Sequence, residues 1–164
     1  MPATTLAGGC YSQMFSGCTS LTTAPTILPA TTLAENCYGG MFCGCTSLTT
    51  APTLPATTLA EGCYGSMFSS CTSLTSATTL PATTLAGGCY NCMFMGCTSL
   101  TWEDVPLLPA TTLAGECYDH MFSNISNMTF QSNAAYNEWC SNNIPASANY
   151  NNGIHGTLFD IVVL

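Results

Sequence analysis

The 164-residue chain contains no lysine and no arginine. Its eight acidic residues stand uncompensated, giving a formal net charge of -8 at pH 7. Proteins that hold nucleic acid do so largely by neutralising phosphates with Lys and Arg, so no nucleic-acid partner is expected. Attraction to an anionic membrane surface is excluded by the same argument. Long apolar runs are also missing. Even the tail Leu158 to Leu164, which is interrupted by Asp160, falls far short of the roughly 20 residues that cross a bilayer, so no membrane span is expected.

Met1 to Cys10 carries neither the basic nor the apolar region of a secretory leader. Removal of a leader accounts for this, and so does export as part of a larger chain or particle. A chain without Lys or Arg also offers trypsin no cleavage site, which suits a protease-rich setting such as an animal gut. Duplication of a unit that lacked basic residues produces the same bias.

Signatures of chemistry are scarce as well. No glycine-rich phosphate loop, EF-hand or dinucleotide fingerprint is present. The two histidines, His120 and His155, lie in no recognisable nucleophile motif. Glu103 with Asp104, and Glu116 with Asp119, are acid pairs of the kind that solvates a surface. The expectation is a protein that is not an enzyme and carries no cofactor.

What the sequence has in abundance is itself. PATTLA begins at Pro2, Pro29, Pro55, Pro81 and Pro109, at spacings of 27, 26, 26 and 28 residues, within a unit PATTLAxxCYxxMFxxCTSLTxAPxL. A period of this size marks a repeat architecture in which each unit buries its apolar face only against its neighbours. In CYxxMFxxC the apolar residues, for example Cys10, Tyr11, Met14, Phe15 and Cys18, fall at offsets 0, 1, 4, 5 and 8. At 100° per residue they form one stripe, which predicts a short amphipathic helix. The Thr-rich half, TSLTTAPTLP, reads as a short extended segment closed by proline.

The predicted fold class is therefore an α/β repeat solenoid: a leucine-rich-repeat-like right-handed coil, short strands on one face, short helical turns on the other, and an irregular C-terminal cap. Residues 1–125 are assigned to five repeats and 126–164 to a non-repeat cap ending in a strand from Thr157 to Leu164. The start at Met1 leaves the first repeat without a cap, exposing an apolar face and a strand edge suited to association.

Twelve cysteines are present, and nine occupy the two repeat positions: Cys10, Cys37, Cys63, Cys89 and Cys117, then Cys18, Cys45, Cys71 and Cys97. Ile125 takes the fifth second-position slot. An aliphatic residue in register indicates a slot for a small hydrophobe, a role free Cys fills when buried. Reduced, stacked thiols are expected. Cys89, Cys92, Cys117 and His120 also sit at matching offsets on adjacent repeats, a donor set that zinc accepts, although Cys89 and Cys117 are core positions of the repeat.

Two other places are candidates for ligand contact. The Thr file of Thr22, Thr49, Thr75 and Thr101 offers repeated hydroxyls along one face. The fourth repeat reads TWEDVP where the others read TTAP or TSAT, placing Trp102 beside Glu103 and Asp104. An exposed indole beside acids suits a binding spot; packing over the junction with the cap is the alternative.

The string GCTSLTxAPxLPATTLAxxCYxxMF, and MFxGCTSL above all, resembles the BspA-like leucine-rich-repeat family of bacterial surface proteins over residues 2 to about 125. That resemblance implies an extracellular or cell-surface protein, or one on a virion, that binds a protein or glycan ligand without catalysis. Self-association through the uncapped repeat, as an oligomer, fibre or virion appendage, is the second functional expectation.

Overall fold

The computed structural model describes residues 3–126, 128–130, 133–143 and 160–161. Its regular elements are few: a 3₁₀ turn η1 (Trp102–Asp104), a two-residue strand β1 (Thr129–Phe130), a helix α1 (Asn133–Asn143) and a two-residue strand β2 (Asp160–Ile161). β1 and β2 pair in parallel, Thr129 with Asp160 and Phe130 with Ile161. Within residues 3–126, η1 is the one regular element; there is no α-helix and no strand. The expected leucine-rich-repeat-like α/β solenoid, and with it the BspA-like assignment, is thereby corrected. Of the strand expected over Thr157–Leu164, only β2 falls among the described residues.

Each repeat instead forms a coil of consecutive turns. We number them coil 1 (residues 3–28), coil 2 (29–54), coil 3 (55–80), coil 4 (81–108) and coil 5 (109–125). The reason CYxxMFxxC is not a helix lies in its period, which is four rather than 3.6. Every fourth residue takes a left-handed conformation: residues 9, 13 and 17 in coil 1, and their counterparts in each later coil, have φ between 52° and 73°. That conformation costs a non-glycine residue roughly 1–2 kcal/mol and cannot recur inside a right-handed helix. Glycine holds seven of these fifteen places. At Gly62 the need is double, since a Cβ there would also collide with the side-chain oxygen of Asn36.

The left-handed residue reverses the chain every four residues, so successive N–H groups point alternately inward and along the stack. Cys10, Ser12, Met14, Ser16 and Cys18 donate back to the carbonyls of Ala7, Gly9, Tyr11, Gln13 and Phe15. The residues between them donate to the next coil: Gly9 to Glu35, Tyr11 to Cys37, Gln13 to Gly39, Phe15 to Met41 and Gly17 to Cys43, at 2.7–2.9 Å. Coils 2, 3 and 4 repeat the pattern. On the other side, Thr5, Thr32, Thr58, Thr84 and Thr112 form a file of isolated parallel bridges, one residue per coil.

This register places like upon like. Tyr11, Tyr38, Tyr64, Tyr90 and Tyr118 stack with ring centroids 5.7–6.0 Å apart, and Phe15, Phe42, Phe68, Phe94 and Phe122 at 5.5–5.7 Å. Between the files lie columns of Cys and Met, fully buried in coils 2 to 5. The second cysteine of the unit does more than fill space. The thiols of Cys45, Cys71 and Cys97 donate to the carbonyls of Phe15, Phe42 and Phe68 at 3.0–3.1 Å, each reaching back one coil. Ile125, in the same slot of coil 5, has no such donor and keeps only the packing.

Candidate functional site

The two ends of the stack differ. At the coil 5 end, Tyr118, Met121, Phe122 and Ile125 are as buried as their inner counterparts, although the sequence holds no sixth copy of the unit. Residues after 125 cover them: Met128, and Tyr136 and Cys140 from α1, join the same buried cluster. The spacing of Tyr136, Trp139 and Cys140 puts all three on one face of α1, and Trp139 meets Trp102 with ring centroids 6.4 Å apart.

At the coil 1 end the same side chains are open. Met14 is 55% exposed, whereas Met41, Met67, Met93 and Met121 are completely buried. Cys10 and Cys18 are exposed, and Tyr11 and Phe15 are half-buried, each ring covered by coil 2 on one side. The backbone follows suit. Thr32, Glu35, Cys37, Gly39, Met41 and Cys43 each accept an N–H from coil 1, but their counterparts Thr5, Gly8, Cys10, Ser12, Met14 and Ser16 present carbonyls that accept none among the described residues. A surface combining an apolar stripe with a row of acceptors is the least self-sufficient part of the molecule, and the strongest candidate site.

The residues singled out by sequence are dispersed. Thr22, Thr49, Thr75 and Thr101 are exposed, but they form no bridge file; among them, only Thr49 and Thr75 are joined, the Thr75 N–H and hydroxyl both donating to the Thr49 carbonyl at 3.1 and 3.3 Å. The expected adhesion module, presenting a strand-built Thr face to a protein or glycan, is corrected: no strand underlies that file and its hydroxyls make no continuous ladder.

Trp102, Glu103 and Asp104 make up η1. Asp104 is turned inward as a cap, its carboxylate accepting from the Thr101 N–H at 2.8 Å and the Thr101 hydroxyl at 2.9 Å. Trp102, 39% exposed, leans on Trp139. Cys89 and Cys117 are buried in the first cysteine column, Cys92 is half-buried, and His120 is exposed. Among the described residues no group of three or more His, Cys, Asp or Glu side chains is placed to hold a metal ion.

A shallow trough of about 870 Å³ runs along the side of the stack, past the left-handed residues. Ser12, Asn36, Gly39, Glu61, Gly65 and Asn91 are among its walls. Three of its glycines, Gly40, Gly62 and Gly88, are ones that the left-handed turns favour.

All twelve cysteines are free. Burial pushes the thiols of Cys63 and Cys71 up to about 12 and that of Cys117 up to about 11, in each case chiefly by desolvation of the thiolate. A thiol disulfide reagent at pH 8 is therefore expected to modify Cys10 and Cys18 of the native protein quickly, and the half-buried Cys43 and Cys92 slowly. The eight buried thiols should react only after denaturant is added. Mass spectrometry of the modified peptides checks the order, and rapid native reaction at Cys63 or Cys71 contradicts this packing.

What sequence reasoning missed is the direction of the ladder. The signal for the turns was present, as glycine immediately before the first and second cysteine of most units. No family model, curated protein or solved structure matches the chain.

Proposed function

We propose that this protein is a non-catalytic structural module that associates with further copies of itself through the outward face of coil 1. The observation that carries this reading is the contrast at one repeat position: Met14 is more than half exposed, while the four equivalent methionines are completely buried. Covering the open face removes Met14, Tyr11, Phe15 and two cysteines from water, each large apolar side chain contributing roughly 1.5–3 kcal/mol when fully buried. An edge of unpaired backbone groups beside such a stripe is a template for a further layer.

The absence of Lys and Arg supports a place outside the cell, at a cell or virion surface, where resistance to trypsin-like proteases is useful. It also argues against a nucleic-acid partner.

Light scattering after size exclusion tests the reading. The protein is expected to gain mass as its concentration is raised, and Met14→Glu, which places a charge in the middle of the stripe, should hold it as a monomer. A wild-type protein that stays monomeric at every concentration, or a Met14→Glu variant that associates equally well, refutes the proposal.

A further inference from the structure

The coil-to-coil ladder has a polarity, and the polarity selects the partner. Every inter-coil backbone bond of the CYxxMFxx segment runs from an N–H of one coil to a carbonyl of the next. Within this segment coil 1 has consequently spent its donors on coil 2, and this part of its outward face offers acceptors alone, whereas on the Thr side bonds also run the other way, from the Thr31 and Thr32 N–H groups back to the Thr4 carbonyl. Two such faces brought together by a two-fold axis would set carbonyl against carbonyl and bury them unpaired, at a cost of about 1–3 kcal/mol for each group. A face-to-face dimer of coil 1 is thus the wrong solution, although the apolar stripe alone would permit it.

The complementary surface is at the other end of the same molecule. In coil 3, Gly62, Tyr64 and Ser66 donate to the carbonyls of Gly87, Cys89 and Asn91 at 2.7–3.0 Å. Their counterparts in coil 5 are Glu116, Tyr118 and His120, whose N–H groups find no acceptor among the described residues. Met128, Tyr136 and Cys140 pack on the apolar side chains of coil 5, yet no described residue accepts from these three donors. Coil 1 of a second copy offers both what the cap supplies and what it omits: the Tyr, Met and Phe stripe in register, and the carbonyls of Gly8, Cys10 and Ser12 opposite the three donors.

We infer that copies of this protein join head to tail, coil 1 of one on coil 5 of the next, and that α1 is the plug that competes for that position. This rests on the self-association proposed above and names its partner surface and its control. Because the contact is heterologous and continues the stack, it does not close, and its product is a linear array. The cap holds the array in check, since coil 5 is free to receive a neighbour only when Tyr136 and Cys140 are lifted away. Coil 5 has no polar outer face of its own, as a dedicated terminal repeat has, so its solubility depends on this plug.

Cys140→Asp in the full chain tests the inference by placing a carboxylate at a position only 1% exposed on the buried face of α1. The concentration at half-assembly is expected to fall at least about tenfold relative to wild type, and electron microscopy should show linear particles rather than dimers. Adding Met14→Glu should abolish the gain. Unchanged resistance of Cys63, Cys71, Cys89 and Cys97 to thiol reagent shows that the coils remain folded; if they do not, Tyr136→Ala makes the same comparison with a milder change.

Wild-type association that Met14→Glu blocks but Cys140→Asp does not promote overturns the plug while leaving self-association in place. A closed dimer indifferent to both cap variants overturns the head-to-tail arrangement. Assembly of Cys140→Asp that ignores Met14→Glu overturns both readings, as does a protein that remains monomeric in every variant.

Discussion

Phe68→Ala is expected to cost about 3–5 kcal/mol, the range for removing a fully buried ring from a core that relaxes only partly. The ring lies at the centre of its file, with Phe42 at 5.7 Å and Phe94 at 5.6 Å, and has no exposure. Because each coil touches only the coils on either side, the loss falls on two interfaces at once. The same change at Phe15 removes one ring contact, at 5.5 Å, from a half-buried side chain, and should cost less than half as much. Tyr64→Phe, one column away, is expected to be neutral or mildly stabilising, because the buried Tyr64 hydroxyl has no hydrogen-bond partner among the described residues. Urea unfolding of the three variants checks the order. A Phe68→Ala loss no larger than that of Phe15→Ala refutes the stacked files, and a large loss for Tyr64→Phe shows that its hydroxyl has a partner.

The repeat, its length and the residues of its buried stripe were legible in the sequence, because all three depend on side-chain pattern. Tyr11, Phe15 and their counterparts do line one interior face. The secondary structure was not legible in the same way. Offsets 0, 1, 4, 5 and 8 fit a 3.6-residue period over so short a window, and only the glycines at 9, 17, 40, 44, 62, 88 and 96 distinguish a four-residue turn from a helix. Glycine recurring every fourth or eighth residue is poor helix chemistry but good left-handed-turn chemistry. The strands failed for a different reason: the bridges between coils are isolated, one residue long even where coils 1 and 2 share two of them, too brief for a strand.

The candidate site was half legible. An exposed first repeat follows from the pattern, but the direction of its hydrogen bonds does not, because carbonyls and N–H groups are common to all residues. Of the two readings that the sequence offered for Trp102, a ligand contact or packing over the junction with the cap, its place against Trp139 of α1 accords with the second.

Alkali is expected to unfold this protein well before it would unfold one with few buried thiols. In the unfolded chain the cysteines ionise near their ordinary value of 9, whereas burial holds Cys63 and Cys71 at about 12 and Cys117 at about 11 and raises Cys37, Cys45, Cys89, Cys97 and Cys140 as well. The buried tyrosines are pushed the same way, again chiefly by desolvation. Above pH 9 the unfolded state therefore binds fewer protons than the folded one, so stability falls as pH rises. The contribution of each thiol is fully present below pH 9 and is lost progressively until its folded value is passed. The urea midpoint should be level from pH 7 to 8 and drop steeply from pH 9 to 11, each buried thiol adding up to about 1.4 kcal/mol per pH unit to the slope. Cys71→Val isolates one such group, since Ile125 shows that the slot accepts an aliphatic side chain. At pH 7 the variant should be slightly less stable, having lost the 3.1 Å bond from the thiol to the Phe42 carbonyl. At pH 10.5 the order should reverse, because the variant no longer gives up a proton on unfolding. Parallel pH profiles for the two proteins, with no crossing, refute the assignment of alkaline sensitivity to the cysteine columns.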